Sequence, residues 1–302
     1  MIRLSNPEIS VTVNEHGAEL SSLRKGEREY LWQAHEAFWK RHSPVLFPIV
    51  GSVWNGEYRI DEHVFKLGQH GFARDMDFTL VSRSNDEVLF ALESSEETLL
   101  KYPYRFRLEI GYRLHDASVD VIWRVKNPSE EPLFFQIGAH PAFYWPGKKD
   151  ADDQPVAEDG LLGYFRLMKN GAPVQSPLRK QVITEKGCVE PSAAGLTDVD
   201  AEGLLPLCFD TFAHDALIYE DSQIDRVELL SADRRPYLDV DFSAPLVGLW
   251  TPPGKHAPFV CIEPWYGRCD RVGYAGDYRE KDHVNRLAPG EQFEQVYTIT
   301  LR

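Results

Sequence analysis

The 302-residue chain sets 33 Lys and Arg against 47 Asp and Glu, a formal net charge of -14. A field of that sign repels phosphate backbones and anionic membrane surfaces, so neither nucleic acid nor a bilayer is an expected partner. The opening MIRLSNPEIS has no apolar signal-peptide core, and no run approaches the roughly eighteen apolar residues of a spanning helix, so a cytoplasmic protein is expected. Cys188, Cys208, Cys261 and Cys269 show neither a C-x-x-C pair nor zinc-ligand spacing, which points to free thiols in a reducing compartment.

Alternating strands dominate the chain. In DFTLVSRSNDEVLFALE (77–93) two apolar-periodic runs flank a polar turn at Ser84 to Asp86, the pattern of a hairpin. SSEETLLKY follows with Ser94 three residues before Glu97, which predicts a capping box and one short helix. In RFRLEIGYRL, Phe106, Leu108, Ile110, Tyr112 and Leu114 alternate strictly, the period of a strand with one buried face. After a turn at 115–117, Val119, Val121, Trp123 and Val125 alternate again until Asn127-Pro128 stops the ladder. RVELLSADRRPYLDVDF (226–242) reads as a further hairpin and FEQVYTITL (293–301) as a last strand. The charged, unpatterned 146–160 and the stretch EPSAAGLTDVDAEG (190–203) read as long loops. Because strand patterns of one character continue on both sides of them, a single domain over 1–302 is expected, all-β and mainly antiparallel.

Three short stretches join ionisable groups to local constraint: LGQHGFARD (67–75), IGAHPAF (137–143) and CIEPWYG (261–267). His70 precedes Gly71, which admits close approach of a backbone or ligand, and Arg74 follows. His140 and Glu263 each precede a proline, which biases them to extended backbone on or beside a strand. Each has a structural alternative. His140 among aromatics fits a buried ring satisfied by a carbonyl, and Glu263 fits an ion pair with Arg268 or Arg271. Asp215 reads by default as a turn residue, and Trp54, Trp145, Trp250 and Trp265 as packing or ligand-stacking rings. An imidazole and a carboxylate together suit proton transfer near neutrality. His70, His140 and Glu263 would also serve as a two-histidine, one-carboxylate metal set. No G-x-S-x-G, phosphate loop, G-x-G-x-x-G or H-E-x-x-H motif is present.

The ordered segments LFPIVGSVWNGEYR, LGQHGFARD, NPSEEPLFFQIGAHPAF, DALIY, GLWTPP and FVCIEPWYG resemble the aldose 1-epimerase (galactose mutarotase) superfamily, most closely its LacX-like branch. The resemblance implies a large twisted β-sandwich with a sugar groove on one sheet. It implies Glu263 as the base for the anomeric hydroxyl, His140 as the acid for the ring oxygen, and His70 as a second histidine bonding the ring-oxygen region. Arg74 and Asp215 would bind sugar hydroxyls. No cofactor is implied; the partner is a small-molecule sugar, acted on by a monomer or homodimer. Relatives often carry arginine where this chain has Ser52. The Gly-Phe-Ala-Arg run is also similar to the hexose-6-phosphate epimerase branch, and a non-catalytic sugar-binding protein is the alternative of another class.

Overall fold

The computed structural model describes residues 1–147 and 160–302. Two antiparallel sheets carry most of the strands. The larger, of ten strands, is centred on Arg107–His115, Ser118–Lys126, Gln292–Leu301 and Pro236–Phe242. The smaller, of eight strands, runs from Gly195–Thr197 through Leu178–Gln181, Leu217–Tyr219, Leu246–Trp250 and Phe259–Tyr266 to Ile137–Ala139 and Val45–Leu46, with Ala142–Tyr144 also paired to Phe259–Tyr266. A four-stranded N-terminal sheet spans Ile2–Ser5 to Arg28–Glu29.

The alternation seen in sequence is what forms the core. Phe106, Leu108, Ile110, Tyr112 and Leu114 are all buried, as are Val119, Val121, Trp123 and Val125 on the paired strand. Their inward face joins one cluster with Val247, Leu249, Val260 and Ile262 of the smaller sheet. Trp123 of the larger sheet meets Tyr266 of the smaller edge-on at 6.3 Å, and Phe135, in a separate short strand, meets Phe293 of the larger sheet at 5.4 Å. The result is the expected sandwich.

Two expectations shift. The short helix is Glu96–Lys101, but its cap is Ser95, whose hydroxyl accepts from Thr98 N–H while Thr98 Oγ1 accepts from Ser95 N–H. Ser94 is instead tied to the Phe106 carbonyl through its own N–H, so the box lies one residue later and uses threonine in place of Glu97. The stretch 190–203 is not all loop: Gly195–Thr197 forms an edge strand of the smaller sheet against Leu178–Gln181. Of the other expected loop, 148–159 lies outside the described residues.

Candidate active site

The site follows from the register of the smaller sheet. Gly138 pairs with Trp265 and Ala142 with Cys261, the same register on both sides of a gap, so His140 lies across from Glu263. The gap falls at Pro141, which has no N–H to give to the ladder. Glu263 also faces Gly248, and Gly248 faces Ile218, so one row across the sheet reads Ile218, Gly248, Glu263, His140. Alternation along Phe259–Tyr266 puts Cys261, Glu263 and Trp265 on the same face, opposite the face that Val260 and Ile262 turn to the core. A Cβ on Gly138 would meet the Trp265 ring at 2.6 Å, and one on Gly248 at 2.4 Å. These two glycines therefore let the indole lie across the sheet.

Over this face opens a cavity of about 520 Å³ whose walls include His70, Arg74, His140, Asp215, Trp250, Glu263 and Trp265. All five residues expected from sequence converge there. A larger depression of about 710 Å³ lies elsewhere, lined by Phe65, Tyr104 and Arg279 among others. Its Arg279 is paired with Asp61 and Asp277.

His140 Nδ1 lies 3.4 Å from Glu263 Oε1, with both side chains almost wholly buried. The contact is outside hydrogen-bonding geometry: among the described residues, His140 Nδ1 and Glu263 Oε2 have no hydrogen-bond partner. The two ion-pair partners expected for Glu263 are engaged elsewhere, Arg268 with Glu220 and Asp282, and Arg271 with Asp282. Burial, reinforced by the Asp215 carboxylate, pushes Glu263 well above the usual carboxylate range. Trp265 Nε1–H opposes this only in part, since it donates to the Ala139 carbonyl at 3.2 Å. Burial pushes His140 down to about 3, and the guanidinium of Arg74 adds to it. Both shifts favour the uncharged forms, a neutral imidazole beside a protonated carboxyl, over an ion pair. Trp39 stacks on the His140 ring at 4.7 Å and Trp250 meets it edge-on at 5.2 Å, which fixes its plane.

His70 has a positive φ of 65° beside Gly71. A Cβ on Gly71 would lie 2.2 Å from the Phe47 carbonyl oxygen, so the close approach expected there is with backbone. Gly51 N–H donates to His70 Nδ1 at 3.0 Å, and His70 N–H returns a bond to the Gly51 carbonyl at 2.8 Å. Burial, His140 and the two arginines Arg74 and Arg41 keep the ring neutral, so its proton resides on Nε2. Arg74 donates from Nη2 to the Gln69 carbonyl, and burial lowers its pKa to about 10. Asp215 sits at φ 73° and caps its own turn by accepting from Ala216 N–H, which aligns it toward the cavity.

The metal set considered from sequence differs from the one the fold assembles. The close trio is His140, Cys261 and Glu263, whose ligand atoms lie within 4.8 Å of one another. Sequence reasoning also missed Trp39, Lys40, Arg41 and Lys255 on the cavity wall. Ser52 is not part of that wall; Arg41 and Arg74 are the arginines there.

The aldose 1-epimerase family model matches residues 1–300. The chain belongs to the aldose 1-epimerase family. Among curated relatives, the plasmid-encoded LacX protein of Lactococcus lactis is 31% identical, with 99% of each chain covered. Two solved relatives have the same fold throughout. The galactose mutarotase related enzyme of Lactobacillus acidophilus superposes with a TM-score of 0.88 at 32% identity, covering 100% of this chain and 97% of that one. A galactose mutarotase-like protein of Lactobacillus casei gives 0.89 at 30% identity with both chains fully covered. The sandwich of this aldose 1-epimerase family member is thus of the galactose mutarotase-like type, and its LacX-like branch is the one the sequence resembles.

Proposed function

We propose that the protein is an aldose 1-epimerase that interconverts the α and β anomers of a hexose or related aldose by ring opening and reclosure. The observation that carries this reading is the buried His140–Glu263 pair, 3.4 Å apart on a cavity wall, with unpartnered polar atoms and, among the described residues, no Lys or Arg paired with the carboxylate. The hydroxyl oxygen and ring oxygen of a hemiacetal share one carbon, so an acid and a base in contact reach both. Glu263 as carboxylate takes the O1 proton, and His140 as imidazolium gives a proton to the ring oxygen. The C1–O5 bond breaks to leave the free aldehyde, and rotation about C1–C2 with reversed proton transfers closes the other anomer. The pair carries one proton throughout, so sugar binding has only to move that proton from the carboxyl to the imidazole. His70 Nε2–H donates to the ring-oxygen region where charge develops. Arg74 and Asp215 bind hydroxyls as donor and acceptor. These steps need no cofactor.

A second reading, a sugar bearing a phosphate, is favoured by the cluster Lys40, Arg41, Arg74 and Lys255 on the cavity wall of an acidic chain. The testing experiment is an NMR exchange screen of free and 6-phosphorylated aldoses. Exchange above the spontaneous rate for at least one sugar is expected. Ligand-induced thermal stabilisation without exchange across the panel would instead indicate a binding protein.

A further inference from the structure

His140, Cys261 and Glu263 offer one nitrogen, one sulfur and one oxygen whose ligand atoms all lie within 4.8 Å of one another. We infer that these three residues form a binding site for a soft divalent cation, Zn²⁺, seated on the proton-transfer pair itself. Zinc bonds of about 2.0–2.2 Å to nitrogen and oxygen and about 2.3 Å to sulfur, set tetrahedrally, space N and O by about 3.3 Å and either of them from S by about 3.6 Å. His140 Nδ1 and Glu263 Oε1 already stand 3.4 Å apart. The thiol then has to draw in by about 1.2 Å at most.

The second observation is the unspent bonding capacity: His140 Nδ1 and Glu263 Oε2 are buried polar atoms without partners among the described residues. A cation held by the carboxylate and by Nδ1 gives the ring nitrogen the partner it lacks. Cys261 belongs to the same face of the same strand two residues before Glu263, and the rings of Trp39 and Trp250 pack over its cluster. Thiolate and imidazole select zinc over calcium or magnesium, which take oxygen ligands. On binding, the thiol and carboxyl protons leave to solvent, Zn–S, Zn–N and Zn–O bonds form, and no oxidation state changes. Occupied, the site ties up both groups that move protons; this inhibition rests on the acid/base reading above, whereas the binding does not.

The test uses full-length, chelator-stripped protein titrated with Zn²⁺ against a zinc-binding chromophore, and with Co²⁺ to reveal a near-ultraviolet sulfur-to-metal band. One equivalent is expected to bind the wild type and to abolish anomer exchange. Cys261→Ser and Cys261→Ala should each bind at least 100-fold more weakly, lack the band, and keep metal-free exchange within about twofold of wild type while resisting zinc. Cys208→Ser, at a thiol outside the trio, should behave as wild type. No stoichiometric zinc in the wild type, or affinity and band unchanged in both Cys261 variants, overturns the site. Zinc binding through Cys261 in a protein with no exchange under any condition keeps the site and removes the epimerase reading.

Discussion

At the scale of the residue, Glu263 and His140 are held in states that cost the fold something, and the cost has a direction in pH. The folded pKa of Glu263 lies above the unfolded value of about 4.3, so between the two the folded chain keeps a proton that the unfolded chain has lost. Stability then falls as pH rises through that window. Glu263→Gln in metal-free buffer should raise the melting temperature at pH 7, and the gain should vanish below about pH 4. His140 runs the other way: with its folded pKa depressed to about 3 from 6.5, it contributes stability above 6.5 that is lost as pH falls toward 3. The full window corresponds to on the order of 5 kcal/mol, so His140→Asn should visibly flatten the acid limb of a stability profile taken by chemical denaturation. A mutation that stabilises while it abolishes activity is expected of a group placed for chemistry.

At the scale of the element, much was legible and the reasons are specific. Strict alternation in 106–114 and 119–125 could be realised only as a strand pair with one face inward, and that is how those residues pack. Proline after His140 and after Glu263 marked both as extended, and both lie in or between strands of the smaller sheet. What sequence does not encode locally is register between distant segments: that residue 140 falls opposite 263 depends on pairings flanking Pro141. Trp39 and Arg41 left no signal because their segment has no periodicity and reaches the cavity only through tertiary contacts, such as Lys255 Nζ donating to the Phe38 carbonyl. Cys261 did leave one, its two-residue spacing from Glu263. The cap at Ser95 rather than Ser94 shows a different limit, since adjacent serines are equivalent until the helix phase is set. The two glycines under Trp265 give this scale its prediction. Gly248→Ala should displace the indole, cost about 1–3 kcal/mol by overpacking, and raise KM for the sugar more than it lowers kcat, as read by denaturation and steady-state exchange kinetics.

For the whole molecule, the net charge of -14 and the local cationic wall act in opposite senses. Charges on the wall sit within about 8 Å, one screening length at physiological salt, of anything bound, while the rest of the field is largely screened. Exchange of a neutral aldose should therefore be nearly independent of ionic strength. Exchange of an anionic sugar should slow as salt rises, and Lys40→Gln with Lys255→Gln, both exposed at the rim, should flatten that slope. Rates measured across a salt series decide it. Among the described residues no helix is long and apolar enough to cross a membrane, and all four cysteines are free thiols. The family model runs along residues 1–300, so both sheets and the cavity over the smaller one fall within one family match.

The claim on which the rest depends is that His140 and Glu263 act as one proton-transfer unit. It is tested most directly by anomer exchange, followed by NMR in metal-free buffer, for wild type, Glu263→Gln, His140→Asn and the double variant. Each single change should slow exchange by about a hundred- to ten-thousand-fold, and the double should lose little more than the worse single, because removing either member disables the pair. Wild-type-like exchange in either single variant, with the fold intact, would contradict the account.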